Sequence, residues 1–144
     1  MNIKELLEQY SSVLNEIEDL QERIARIEKQ ITEMEEKGYQ VKDSVRGGEG
    51  GIQRFHISGY PYPEYSSKQT LLKIRRQQLY KREEKLLELT NAVEEFIITI
   101  PDSRMRQMIT YKYLDNMTWI QVAHKMQITE DSCRKAVERF IKKN

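Results

Sequence analysis

Apolar residues recur along the first 37 positions at alternating intervals of three and four: Ile3, Leu6, Tyr10, Val13, Ile17, Leu20, Ile24, Ile27, Ile31 and Met34. This is the a/d spacing of a heptad helix, held without a slip for nearly five repeats. At ~1.5 Å per residue the helix spans about 48 Å. Leu7 and Leu14 widen the stripe near its start, so that end is expected to pack against more than one helix. An apolar stripe of this length does not stay wet. Residues 1–37 are therefore expected to form an oligomerisation arm, most simply of a dimer, or one half of a helical hairpin.

A second heptad helix is expected over 67–99. Leu72, Leu79, Leu86, Leu89, Val93 and Phe96 keep the seven-residue period, but Arg75 and Arg82 stand where apolar residues belong. Residues 68–82 hold six Lys/Arg and no Asp/Glu. These cations can face DNA, or they can pair with the acidic first helix as coiled-coil flanks do. The two helices can pair within one chain, between chains, or both.

Between them, 38–66 contains all six glycines and two of the three prolines, which predicts a connector. Its GYPYPEY string interleaves Tyr60, Tyr62 and Tyr65 with Pro61 and Pro63, a composition suited to an extended segment that lays rings on a surface. That surface is either a partner's or the chain's own helices.

Residues 100–144 change period and predict three short helices around one small core. Pro101 and Asp102 open the first, which turns Met105, Met108 and Ile109 inward and Arg104, Arg106 and Lys112 outward. In the second, Trp119, Val122, Ala123 and Met126 fall at i, i+3, i+4, i+7. Gln127 and Ile128 then form a turn, and Thr129 caps a third helix whose first turn carries Glu130 and Asp131. Cys133, Ala136, Val137, Phe140 and Ile141 make its inner stripe, leaving Ser132, Arg134, Lys135, Glu138, Arg139 and Lys142 outside. Two short amphipathic helices joined by a three-residue turn have the layout of a DNA-reading helix-turn-helix, the last helix being the reader. The fold class expected is all-α: a long N-terminal heptad helix and a second long helix, as a coiled coil or helical hairpin, plus a small C-terminal helix-turn-helix domain.

The string LDNMTWIQVAHKMQITEDSCRKAVERFIKK resembles the C-terminal helix-turn-helix domain of bacterial sigma factors, with Thr118, Val122, Ala123, Met126, Thr129, Cys133, Arg134 and Arg139 at matching places. Over the whole chain, the order of charged helix, VRGGEGG connector, second charged helix and this C-terminus is similar to the RinA-like and ArpU-like late transcription regulators of phages and prophages. Val45, Arg46, Gly47 and Gly48 match the short signature of that group. One departure stands in the turn, where Gln127 replaces the usual glycine; a non-Gly residue in a left-handed turn costs roughly 1 kcal/mol.

The resemblance implies a sequence-specific regulator that binds double-stranded DNA and works with bacterial RNA polymerase in the host cytoplasm. It places Glu130, Asp131, Ser132, Arg134 and Lys135 at the exposed start of the recognition helix, where bases are read. Arg134 is the residue whose planar fork suits guanine. Arg139, Lys142, Lys143 and Thr118 touch phosphates or stay in solvent, and the helix cap Thr129 is counted with the DNA-binding residues. Two other readings stay open: a phage small terminase subunit, and a sigma-like adaptor that touches RNA polymerase without reading DNA.

Charge agrees in direction. Residues 1–37 carry 5 Lys/Arg against 10 Asp/Glu, and 101–144 carry 9 against 5, so the overall +1 hides an acidic arm and a modestly basic C-terminal unit. No apolar run approaches the ~18–20 residues of a membrane span, and Met1–Tyr10 lacks the apolar core of a signal peptide. The lone Cys133 can build neither a disulfide framework nor a paired-cysteine metal site. His56 and His124 lie in different segments without neighbouring metal ligands, so neither an enzyme nor a cofactor is expected.

Overall fold

The computed structural model describes residues 1–46 and 62–144, with side chains from 1–37 and 63–144. It is all-α. Two long helices, α1 (Ile3–Arg46) and α2 (Tyr62–Ile98), precede the short helices α3 (Ser103–Ile109), α4 (Trp119–Met126) and α5 (Glu130–Lys143). A π-helical turn, Thr110–Leu114, extends α3. None of the described helices is long and apolar enough to cross a membrane.

The chain falls into two compact units, Ile17–Lys81 and Met1–Glu16 with Arg82–Asn144, and α1 and α2 contribute to both. In the first, Ile17, Leu20, Ile24, Ile27 and Ile31 of α1 are buried. Tyr65, Lys68, Leu72, Arg75 and Leu79 of α2 are half-buried at the same alternating spacing. Tyr65 donates its hydroxyl to Glu35 Oε1 at 2.8 Å and Arg76 pairs with Glu28 at 3.2 Å, so residue numbers fall on one helix as they rise on the other: the pair is antiparallel.

In the second unit Leu7, Tyr10 and Val13 of α1 are buried, as are Leu89, Val93 and Ile97 of α2. Arg82 reaches Glu16 at 2.8 Å. The heptad stripe is thus covered within a single chain and needs no second copy to stay dry. Two of its positions sit at the margin. Met34 is half-buried, and Leu7 rather than Leu6 fills the core at the start of α1, with Leu6 half-buried. The reason is that α1 meets more than α2 there: Leu7 lines a cleft with Tyr113 and Ile141.

The expected segment boundaries move. Helix α1 continues through Gly38 to Arg46, and α2 starts at Tyr62, so much of 38–66 is helical. One glycine inside a helix costs about 1 kcal/mol, which a long, already nucleated helix absorbs. Pro63 stands in the first turn of α2, where a missing N–H breaks no helical bond. Gly47, Gly48, Tyr60 and Pro61 of the expected connector lie outside the described residues. Nor does 100–144 stand alone. Phe96 of α2 meets Phe140 of α5 in a tilted ring pair with centroids 6.2 Å apart, and Leu7 of α1 shares its cleft with Tyr113 and Ile141.

Candidate nucleic-acid interface

Helix α5 is presented by two caps and a turn that the local sequence dictates. Thr118 accepts from Gln121 N while Gln121 Oε1 accepts from Thr118 N, a reciprocal capping box that starts α4. Helix α4 ends in a Schellman motif: Ile128 N–H donates to Ala123 O at 3.1 Å and Gln127 N–H to His124 O at 3.2 Å. Gln127 takes the left-handed conformation this demands, φ 58° and ψ 42°. Thr129 then accepts from Ser132 N and starts α5. Val122, Ala123, Met126, Cys133 and Val137 are buried between the helices, and burial pushes the Cys133 thiol up from its ordinary pKa, keeping it neutral.

The strain at Gln127 makes a prediction. Gln127→Gly removes a side-chain clash that only glycine avoids, at the cost of a looser unfolded chain. The ~1 kcal/mol of strain relieved, less the ~0.4–1 kcal/mol lost to the looser unfolded chain, leaves a net gain of about 0–0.6 kcal/mol, up to about 2 °C in Tm. A thermal melt checks it, and a clearly lowered Tm would mean that Gln127 does not hold a left-handed turn.

The outer face of α5 carries the residues expected to read DNA, all on one helix. Glu130, Asp131, Ser132, Lys135, Arg139 and Lys142 are exposed and Arg134 is partly so. They are not independent charges. Asp131 bridges two cations, holding Arg134 Nη2 at 2.8 Å through Oδ1 and Lys135 Nζ at 2.9 Å through Oδ2. Glu138 approaches Arg134 Nε at 3.9 Å. The hydrogen bond from Lys135 and the positive charges of Lys135 and Arg134 hold the Asp131 carboxyl below its usual range, outweighing the opposing desolvation. Among the described residues Arg134 Nη1 has no partner, so the fork is fixed on one side and open on the other. Arg139 Nε donates to the carbonyl of Lys135. The hydroxyls of Thr118 and Thr129 both accept helix-capping bonds, and Thr129 further donates to Ser132 Oγ. These two threonines position α4 and α5.

The structure adds features that periodicity missed. The π turn sets Lys112 Nζ 4.8 Å over the Trp119 ring while the same nitrogen donates to Met117 O. Lys125 Nζ lies 4.8 Å over the Tyr111 ring. Trp119, on the expected inner stripe of its helix, is half-buried beneath Lys112. Arg104 donates to Met126 O at the C-terminal end of α4 and Arg106 to Ile100 O ahead of α3, so both arginines are held by backbone carbonyls. Tyr113 is half-buried on the cleft that Leu7 and Ile141 also line. Burial, then the carboxylates of Glu138 and Glu8, raise its pKa above the ordinary tyrosine value. No family model, curated protein or solved structure matches the chain.

Proposed function

We propose that the chain is a double-stranded DNA-binding transcription regulator of phage or prophage type that reads its site with α5 and acts with bacterial RNA polymerase. The observation that carries this reading is the outer face of α5: Arg134, Lys135, Arg139 and Lys142 on one face of a 14-residue helix that the turn at Gln127 and the Thr129 cap project from the core. A helix so held fits the major groove, where an arginine fork meets the two acceptors of guanine. Selection of bound duplexes from a random library by the full chain tests it. Enrichment of one motif supports the reading, and a library that stays random removes it.

Asp131 belongs to the same reading. By fixing Arg134 and Lys135 it orders the two side chains that would meet base edges, and by its own charge it repels phosphate. Asp131→Asn is therefore expected to act in two opposed directions: tighter binding to unrelated duplex, and a smaller preference for the selected motif. Titration of both duplexes at two salt concentrations checks this. Equal effects on both would reduce Asp131 to a source of repulsion alone.

A second reading has one observation in its favour. Asp131 and Glu138 neutralise part of the basic face, which suits a protein surface better than a phosphate backbone. On that reading the sigma-like unit touches RNA polymerase without reading DNA, and the same selection returns no motif.

A further inference from the structure

Six cations crowd residues 68–82 of α2, and α1 is acidic overall. Arg76 and Arg82 do pair with α1, through Glu28 and Glu16. Among the described residues Lys68 and Arg75 do not. They line an open hollow of about 200 Å³ together with Arg23 and Arg26 of α1, and Gln30, Ile27 and Leu71 complete its wall without a carboxylate. Among the described residues Arg23, Arg26 and Lys68 make no ion pair, and Arg75 donates only to the neutral Gln78 Oε1, at 2.9 Å. The residues come from one face of each helix: Arg23, Arg26, Ile27 and Gln30 at i, i+3, i+4, i+7, opposite Lys68, Leu71 and Arg75 at i, i+3, i+7.

Four like charges around one hollow repel one another, and carboxylates stand elsewhere on the same helix that a different placing could have paired with them. An anion in the hollow reverses the sign of that interaction. Its volume of about 200 Å³, below the usual ~300–1,000 Å³ of small-molecule pockets, is ample for one tetrahedral oxyanion. Three arginines offer forked N–H donors matched to phosphate oxygens. No acceptor-rich wall is present to recognise a base.

We infer that the hollow formed by Arg23, Arg26, Lys68 and Arg75 binds a phosphate group, and that its source is the backbone of a nucleic acid. This gives the helical pair a sequence-independent grip on DNA, in a different unit from α5. In that respect the inference deepens the proposed function and rests on it; the phosphate chemistry of the hollow does not.

The test uses the full chain and the variant Arg23→Gln/Arg26→Gln, two exposed positions whose loss leaves the buried stripe intact. Two measurements run in parallel. Inorganic phosphate is titrated at constant ionic strength while the arginine side-chain N–H resonances are followed by NMR. Wild type is expected to shift two or more of them, and the variant to lose the remaining response. Duplex binding is then measured across salt concentrations. The variant's log–log slope is expected to fall by about one unit, since the hollow engages one phosphate and each phosphate contact contributes ~0.9, with the selected motif unchanged. That loss should persist in an Arg134→Ala background.

If phosphate shifts the resonances but the salt slope is unaltered, the source is a free phosphate and the nucleic-acid assignment is overturned. A wild type that binds no duplex yet responds to phosphate removes the proposed function and leaves only the anion site. Absence of both responses overturns the inference as a whole.

Discussion

Ile24→Asn is expected to lower the unfolding free energy by about 3–5 kcal/mol without changing the number of chains per particle. Ile24 is buried in the unit Ile17–Lys81, on the stripe that α1 turns toward α2. Replacing it forfeits about 1.5–3 kcal/mol of apolar burial and leaves an amide without hydrogen-bond partners, a further ~1–3 kcal/mol. Against a typical stability of about 5–15 kcal/mol the effect is large. Urea unfolding measures it, with Leu6→Asn, at a half-buried position, as the mild control. Sedimentation of both proteins supplies the second readout. Were the stripe a seam between two copies, wild type would sediment as a dimer, and Ile24→Asn would halve its mass.

That prediction turns on what a hydrophobic pattern can and cannot say. The spacing of Ile17, Leu20, Ile24, Ile27 and Ile31 states that one face of α1 must be covered, because wet apolar surface on that scale is unfavourable. It does not state by which helix. The answer lies in α2, whose seam is hard to recognise because Lys68, Arg75 and Arg82 interrupt it. Long aliphatic stems lie along an apolar groove while their charges reach solvent, so such positions serve a helix pair although they read as polar. Boundaries were less legible for a related reason. Gly38 and Pro63 are strong local signals, but a glycine is a modest tax on a helix already propagating, and a proline in a first turn is compatible with one. The π turn at Thr110–Leu114 leaves no mark in the spacing of Met105, Met108 and Ile109, all of which precede it.

At the candidate interface the caps were legible because their chemistry is local. Thr118, Thr129 and the left-handed Gln127 each answer to residues within five positions. The ion pairs on α5 were present in the spacing as well: Asp131 with Lys135 and Arg134 with Glu138 are i,i+4 pairs, and Asp131 with Arg134 is i,i+3. Yet a spacing permits several pairings, and only the rotamers decide that Asp131 takes two partners at once. The basic hollow on α1 and α2 was illegible for a stronger reason: Arg23 and Arg75 are 52 positions apart, and only the antiparallel register brings them together.

Arg134→Ala is expected to cost roughly 1–3 kcal/mol at one base pair of the selected site, about 5- to 150-fold in affinity, and little on unrelated duplex. The small loss on unrelated duplex follows from the ion pairs: a guanidinium already held by Asp131 at 2.8 Å is partly neutralised, so its value lies in geometry more than in net charge. Lys142→Ala gives the opposite signature. It is exposed and makes no ion pair among the described residues, so it should weaken every duplex alike and flatten the salt dependence by about one unit. The comparison separates reading from holding. Binding measured on the selected duplex, on the same duplex with the guanine replaced, and on unrelated sequence decides between the outcomes. A loss confined to the intact site assigns base recognition to Arg134. A uniform loss demotes it to a phosphate contact. No loss at moderate salt, from a protein that still folds, moves α5 from a DNA reader to a protein-binding helix, with Asp131, Arg134 and Glu138 as its charged contact face.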